Sequence, residues 1–223
     1  MIEEKVYFPC GNIVLEGVMY LPDAVPSTAE VVVCHPHPLY GGSMHNNVVD
    51  GICQALLEAG LTCLKFNFRG VGSSGGQYTG GSGETEDVKA AIDYLNSRPE
   101  IAIGRMGLCG YSAGAAYSLS VAVDDDRVAA YVAVSPPLKM FDFAVLDGCV
   151  KPKLMIIGGQ DDITPIDIFE EFYQTLTPPK EHHIDPEAGH FWQGREGVMG
   201  GRVAGFFRLY LGFDKSNPGV VNF

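Results

Sequence analysis

The chain contains no run of 18 apolar residues, so no membrane-spanning helix is expected. Its opening, MIEEKVYFPCGN, lacks a basic stretch followed by an apolar one. That absence argues against a secretory leader and for a cytoplasmic protein. Positive charge is scarce: 15 Lys and Arg face 27 Asp and Glu, for a net charge of −12. Nucleic acid and anionic membranes are therefore disfavoured as partners. The six cysteines (10, 34, 53, 63, 109 and 149) lack metal-type spacing and read as free thiols, mostly buried. No long linker and no internal repeat divides the 223 residues, 46% of them apolar. One domain over 1–223 with a substantial core is expected.

What is present is a regular alternation. EKVYFPC and IVLEGVMYL read as two strands joined at Gly11-Asn12, and VVVCH as a third. NNVVDGICQALLEAG has helical spacing and ends at Gly60, a helix C-terminal signal. LTCLKFNF, RMGLCGY, RVAAYVAVS, KLMIIGG and KEHHID read as further strands. Between them lie the helical segments ETEDVKAAIDYLNSR, SAGAAYSLSVAV and PIDIFEEFYQTL, with GREGVMGGRVAGFFRLYLGF at the end. Short apolar strands alternating with helices predict an α/β fold with a mostly parallel sheet covered on both faces. The irregular stretch SPPLKMFDFAVLDGCV is too short for a large cap domain.

Residues 110–114, GYSAG, form a G-x-S-x-G between a strand and a helix. A serine on such a sharp turn needs small neighbours, because larger side chains would collide. Gly110, Ala113, Gly114, Ala115 and Ala116 meet that demand. Ser112 is therefore a candidate nucleophile. In this arrangement the acid and then the base follow in the chain. Asp161 and Asp162 compete for the acid. Asp161 is preferred because Ile163 and Pro165 would lock the loop behind it. His190, on a loop after the last strand and preceded by Gly189, is the candidate base. His182 and His183 lie inside a strand-like run and are poorer candidates.

Two other stretches invite different chemistry. Residues 70–75, GVGSSG, match G-x-G-x-x-G after a strand. No apolar helix opens at Gly75, however, and a lone match is weak support for a dinucleotide site. A loop needing several positive-φ positions is the simpler account. Arg69 is expected to pin this loop to the next helix through Glu86 or Asp87. The octapeptide HPHPLYGG (35–42) suggests a metal site built from His35, His37 and His45. The prolines beside His35 and His37 restrict how the two rings can converge, which argues against it. Acyl transfer instead needs two backbone N–H groups at the developing oxyanion. One falls on Ala113, after the nucleophile, and the other on the loop after an early strand. Pro36 and Pro38 cannot donate. That leaves His37, Leu39 and Tyr40, with position favouring His37 and then Leu39.

The segments HPHPLYGGSMHNNVV, FNFRGVGSSGG, GETEDVKAAIDYL, GYSAG, the D-x-I-x-P run at Asp161 and GHF at His190 span most of the chain. Taken together, the chain resembles the small cap-less α/β-hydrolases, relatives of the dienelactone hydrolases and carboxylesterases. The resemblance implies the α/β-hydrolase fold, with Ser112 as nucleophile, Asp161 as acid and His190 as base. Dienelactone hydrolases themselves use cysteine at the elbow, so Ser112 points away from that chemistry. A serine carboxylesterase acting on small or medium acyl esters, without metal or cofactor, is the expectation. Acyl transfer, thioester or peptide hydrolysis by the same triad is the alternative, ahead of a non-catalytic binding protein. Tyr40, Tyr111, Phe191 and Trp192 are the expected substrate-lining residues.

Overall fold

The computed structural model describes residues 2–22, 29–98 and 105–212. Phe213, the last residue of the expected terminal helix, lies outside them. Among these residues eight strands form one sheet: β1 (Ile2–Cys10), β2 (Ile13–Leu21), β3 (Ala29–Cys34), β4 (Thr62–Phe66), β5 (Arg105–Tyr111), β6 (Val128–Val134), β7 (Lys153–Gly158) and β8 (Lys180–Asp185). Their order is β1-β2-β4-β3-β5-β6-β7-β8. β2 runs antiparallel to both neighbours, and the other pairings are parallel. This is the mostly parallel, helix-covered sheet of an α/β hydrolase, without a large cap.

Among the described residues five α-helices cover the two faces: α1 (Asn47–Glu58), α2 (Ser82–Asn96), α3 (Ala113–Asp124), α4 (Ile166–Thr175) and α5 (Glu196–Leu211). In the central strand β3 the alternation sorts side chains between two cores. Val31 and Val33 pack with α1 and α5, and Val32 and Cys34 with residues of α2, α3 and α4. The edge strand β1 keeps a half-buried pattern, with Val6, Phe8 and Cys10 inward and Tyr7 exposed. No helix among the described residues is long and apolar enough to cross a membrane.

Local signals set the helix ends. Asn46 caps α1 by accepting from the Val48 N–H at 2.9 Å. Gly60, at φ +81°, turns the chain out of it. The second helix starts two residues before the expected Glu84. The Glu84 carboxylate reaches back to the N–H groups of Gly81 at 2.6 Å and Thr79 at 3.0 Å, which closes an extra turn. The preceding glycine loop uses positive φ at Gly70, Gly72, Gly76, Gly80 and Gly81. Arg69 ties it to α2 through Asp87, at 2.7 Å, while Glu86 pairs with Lys89 instead.

Candidate active site

Every candidate residue sits where a parallel strand ends, because the strand termini are held in one row by the sheet and their loops converge on that edge. The chain leaves β5 into Ser112 at φ 52°, ψ −125°, and enters α3 at the next residue. The small neighbours are a packing requirement. A Cβ on Gly110 would strike the backbone of Gly114 and Ala115, and one on Gly114 the carbonyls of Cys34 and His35. The strained turn thus lies against β3, and Ser112 stands at the positive end of a helix.

The Ser112 Oγ lies 3.0 Å from His190 Nε2, and His190 Nδ1 lies 2.9 Å from Asp161 Oδ2. An ionised carboxylate only accepts, so Nδ1 carries the imidazole proton and Nε2 is free to take one from serine. Asp161 and His190 are both buried, whereas Asp162 is exposed and outside the constellation. The N–H groups of Ile163 (3.0 Å) and Thr164 (2.9 Å) donate to Asp161 Oδ1. Burial pushes the Asp161 carboxyl up, but the bond and charge of His190, with the Thr164 N–H, bring it below the usual range. The His190 loop is held at its base. Asp185, at the end of β8, accepts from Arg195 at 2.7 Å, and the Tyr111 hydroxyl donates to the His190 carbonyl at 3.0 Å.

The HPHP loop resolves into three different histidines. His35 is fully buried; its Nδ1 meets the Pro36 carbonyl at 2.7 Å and its Nε2 accepts from the Phe68 N–H at 3.0 Å. Burial, opposed only by the Pro36 bond, lowers it to about 4, so it stays neutral. His37 turns Nδ1 back to the Leu39 N–H at 3.2 Å and meets the Tyr78 hydroxyl with Nε2 at 3.0 Å. His45 is exposed. Of the three possible loop donors, Leu39 and Tyr40 are committed. The Leu39 N–H goes to the His37 ring, and the Tyr40 N–H to the His37 carbonyl at 3.1 Å. Leu39 is therefore corrected as an oxyanion donor: the short helical turn at 38–40 consumes its N–H, and its side chain points out at 69% exposure. The N–H groups of His37 and Ala113 have no partner among the described residues, and both residues line the cavity at Ser112.

That cavity has a volume of about 320 Å³. Tyr40, Tyr111 and Phe191 line it, as expected. Trp192 does not: it is fully buried, and its Nε1 donates to Ser135 Oγ at 3.0 Å. It follows the exposed Phe191, and its backbone sits at φ 54°. Sequence reasoning missed Asn46, Pro137, Met140, Phe141 and Ile163, which complete the wall. Pro137, Met140 and Phe141 belong to the irregular segment after β6, Asn46 to the cap of α1 and Ile163 to the acid loop, so only the arrangement of the strand ends brings them together. A larger groove of about 800 Å³ between α1 and α5 contains no triad residue.

Residues 14–165 match the model of the family described as X-Pro dipeptidyl-peptidase (S15 family). The match takes in Ser112 and Asp161 and ends before His190. The uncharacterized protein RP471 of Rickettsia prowazekii is 33% identical over 183 residues, 80% of this chain and 75% of its own length. A solved α/β serine hydrolase homologue from Coxiella burnetii has a TM-score of 0.84 and 34% identity, covering 92% of this chain and 97% of that one. A lid-less α/β serine hydrolase from Xanthomonas campestris has a TM-score of 0.84 and 28% identity, covering 97% of each chain.

Proposed function

The chain belongs to the X-Pro dipeptidyl-peptidase (S15) family, and on that premise we propose that it is a serine carboxylesterase for small or medium acyl esters. His190 takes the Ser112 proton as Oγ attacks the acyl carbon. Asp161 holds the imidazole and balances its charge. The N–H groups of His37 and Ala113 receive the oxyanion. His190 then protonates the departing alcohol, leaving an acyl-enzyme, and activates the water that releases the acid.

The observation that carries the ester reading is the lining of the cavity. It is largely apolar, it stands directly over Ser112, and among the described residues no carboxylate lines it. Its volume is at the small end of ligand pockets. The family description favours a second reading, a peptidase releasing X-Pro dipeptides. Such an enzyme must hold a free α-ammonium, and an unpaired buried cation is costly. Asp161 is already engaged by His190.

The test compares p-nitrophenyl acetate and butyrate with an Ala-Pro p-nitroanilide and an acyl thioester. Faster turnover of the esters is expected; preference for the anilide would replace the ester reading with the peptidase one. Ser112→Ala should lower ester turnover by more than about a thousandfold. Product analysis with added alcohol or thiol acceptors separates hydrolysis from acyl transfer. A wild-type chain that resists a fluorophosphonate probe would instead be a binding protein on a hydrolase fold.

A further inference from the structure

Two features of the chain have no part in the chemistry so far: the imidazole of His37 and the glycine loop that follows β4. The fold brings them together. The loop is pinned at both ends, by Arg69 on Asp87 and by the Thr79 N–H on Glu84 at 3.0 Å. Between these pins it delivers Tyr78, whose hydroxyl lies 3.0 Å from His37 Nε2 and 3.1 Å from the Tyr117 hydroxyl. The ring centroids of His37 and Tyr78 are 4.9 Å apart, and those of His37 and Tyr40 are 4.7 Å apart.

Donor chemistry fixes the direction of these bonds. The Leu39 N–H can only donate, so His37 Nδ1 accepts it at 3.2 Å and carries no proton. A neutral imidazole then holds its one proton on the other nitrogen. Nε2–H therefore donates to the Tyr78 hydroxyl, which leaves the Tyr78 proton for the Tyr117 oxygen. A second proton on His37 would sit on Nδ1, against the Leu39 N–H, so the ring stays neutral while the turn is closed. Burial, opposed by the Glu84 carboxylate, lowers the ring below its ordinary pKa in the same sense. The His37 carbonyl is committed as well, to the N–H groups of Tyr40 and Gly42, both at 3.1 Å. Ring and carbonyl are both held, and among the described residues only the His37 N–H is left without a partner.

We propose that Tyr78 is a positioning residue of the oxyanion site: bonded to the His37 ring and to Tyr117, it sets the His37 N–H relative to that of Ala113. Tyr117 lies on α3 one turn after Ala113, the first residue of that helix, and its ring is buried against Phe68. The clasp therefore spans the two elements that supply the two donors, the loop after β3 and the start of α3. Each donor has to come within about 2.7–3.1 Å of one developing oxyanion, so their relative placement governs how well both can serve it. Neither Tyr78 nor Tyr117 lines the cavity, so both act through His37 and not on the substrate. The inference rests on the serine-hydrolase reading above and deepens it for the same site.

The test uses Tyr78→Phe, which keeps the ring and removes the hydroxyl. With p-nitrophenyl acetate, kcat should fall about fivefold, the scale of one hydrogen bond, with KM changed less than about twofold. A trifluoromethyl ketone reports on the oxyanion site directly: Ser112 Oγ adds to its carbonyl carbon, the serine proton goes to His190, and the carbonyl oxygen becomes the oxyanion. Its affinity should fall by a similar factor, while that of the plain methyl ketone should not, because only the adduct resembles the transition state. In a His37→Ala background, which keeps the backbone N–H and has no ring to hold, Tyr78→Phe should cost nearly nothing more. Wild-type kcat in Tyr78→Phe, a loss confined to KM, equal weakening of both ketones, or an undiminished fivefold loss in the His37→Ala background would overturn the inference alone. A wild-type protein that turns over no ester and resists a fluorophosphonate probe would overturn the hydrolase reading and this inference with it. If Tyr78→Phe does not fold, Tyr117→Phe removes the far end of the clasp. Lower kcat at unchanged KM is expected there too, and wild-type kcat would again overturn the role.

Discussion

At the residue scale, four titratable side chains near the site are separated by what surrounds each. His35 is sealed in the core and neutral, a strut between the HPHP loop and the chain leaving β4. His37 lines the cavity while its ring closes the Leu39 turn. His190 sits between an acceptor-only carboxylate and a hydroxyl, the position of a general base. Asp161, kept below the usual carboxylate range, ties active-site chemistry to acid stability. Its folded value lies below its unfolded one, so it stabilises the fold above the unfolded value. That stabilisation is lost as pH falls through the folded value. Asp161→Asn should lower kcat on the order of a thousandfold or more. Urea titrations between pH 3 and 6 should show that the variant loses less stability on acidification than wild type.

At the element scale, the glycine loop and α2 behave as one piece. The Arg69 guanidinium grips Asp87, whose side chain has no exposure, and the Arg69 N–H donates to the same carboxylate at 2.9 Å. Arg69→Ala leaves a buried carboxylate without its ion-pair partner. Loss of about 3–5 kcal/mol is expected from a thermal or urea melt; stability equal to wild type would show the pin to be unnecessary. Legibility at this scale was uneven for identifiable reasons. β6 and β7 fall on the apolar runs that marked them, VAAYVAV and KLMIIG, because hydrophobic periodicity is a local property. The start of α2 was misplaced because Glu84 caps it from inside the helix, reaching back to Gly81. A sequence shows an acid at that position but not which way its side chain turns. The G-x-G-x-x-G match has no helix opening at its end; Glu16 instead fastens the loop, accepting from the Ser73 N–H.

At the scale of the whole molecule, one side chain stands out against the core logic. Glu30, in β3, is fully buried and neither carboxylate oxygen has a hydrogen-bond partner among the described residues. Burial, only partly offset by its own backbone N–H, pushes its carboxyl up to about 7. The sign is opposite to that of Asp161. The folded value lies above the unfolded one, so stability is highest below the unfolded value and falls as pH rises through about 7. Glu30→Gln should raise stability at pH 8 by about 1–3 kcal/mol and change it little at pH 4.5. Urea midpoints of both proteins at the two pH values check this, and an unchanged midpoint at pH 8 would contradict it.

The sequence by itself determined the alternation of strands and helices, the elbow at Ser112, and the order of serine, acid and base. Each depends on neighbours in the chain: apolar period, small residues around a tight turn, and the sequence of strand ends. It also narrowed the HPHP loop to three donors, because proline has no N–H. Only the tertiary structure shows that the Leu39 and Tyr40 N–H groups are already bonded within the loop, since a donor's availability depends on where every nearby carbonyl and ring nitrogen ends up. The same holds for Trp192, read as cavity lining from its place in the loop of His190 but buried, with its Nε1 donating to Ser135 Oγ. Ser135 itself lies 57 residues from its indole partner. No local pattern marks such a bond; it exists because the parallel sheet brings the ends of β6, β7 and β8 side by side.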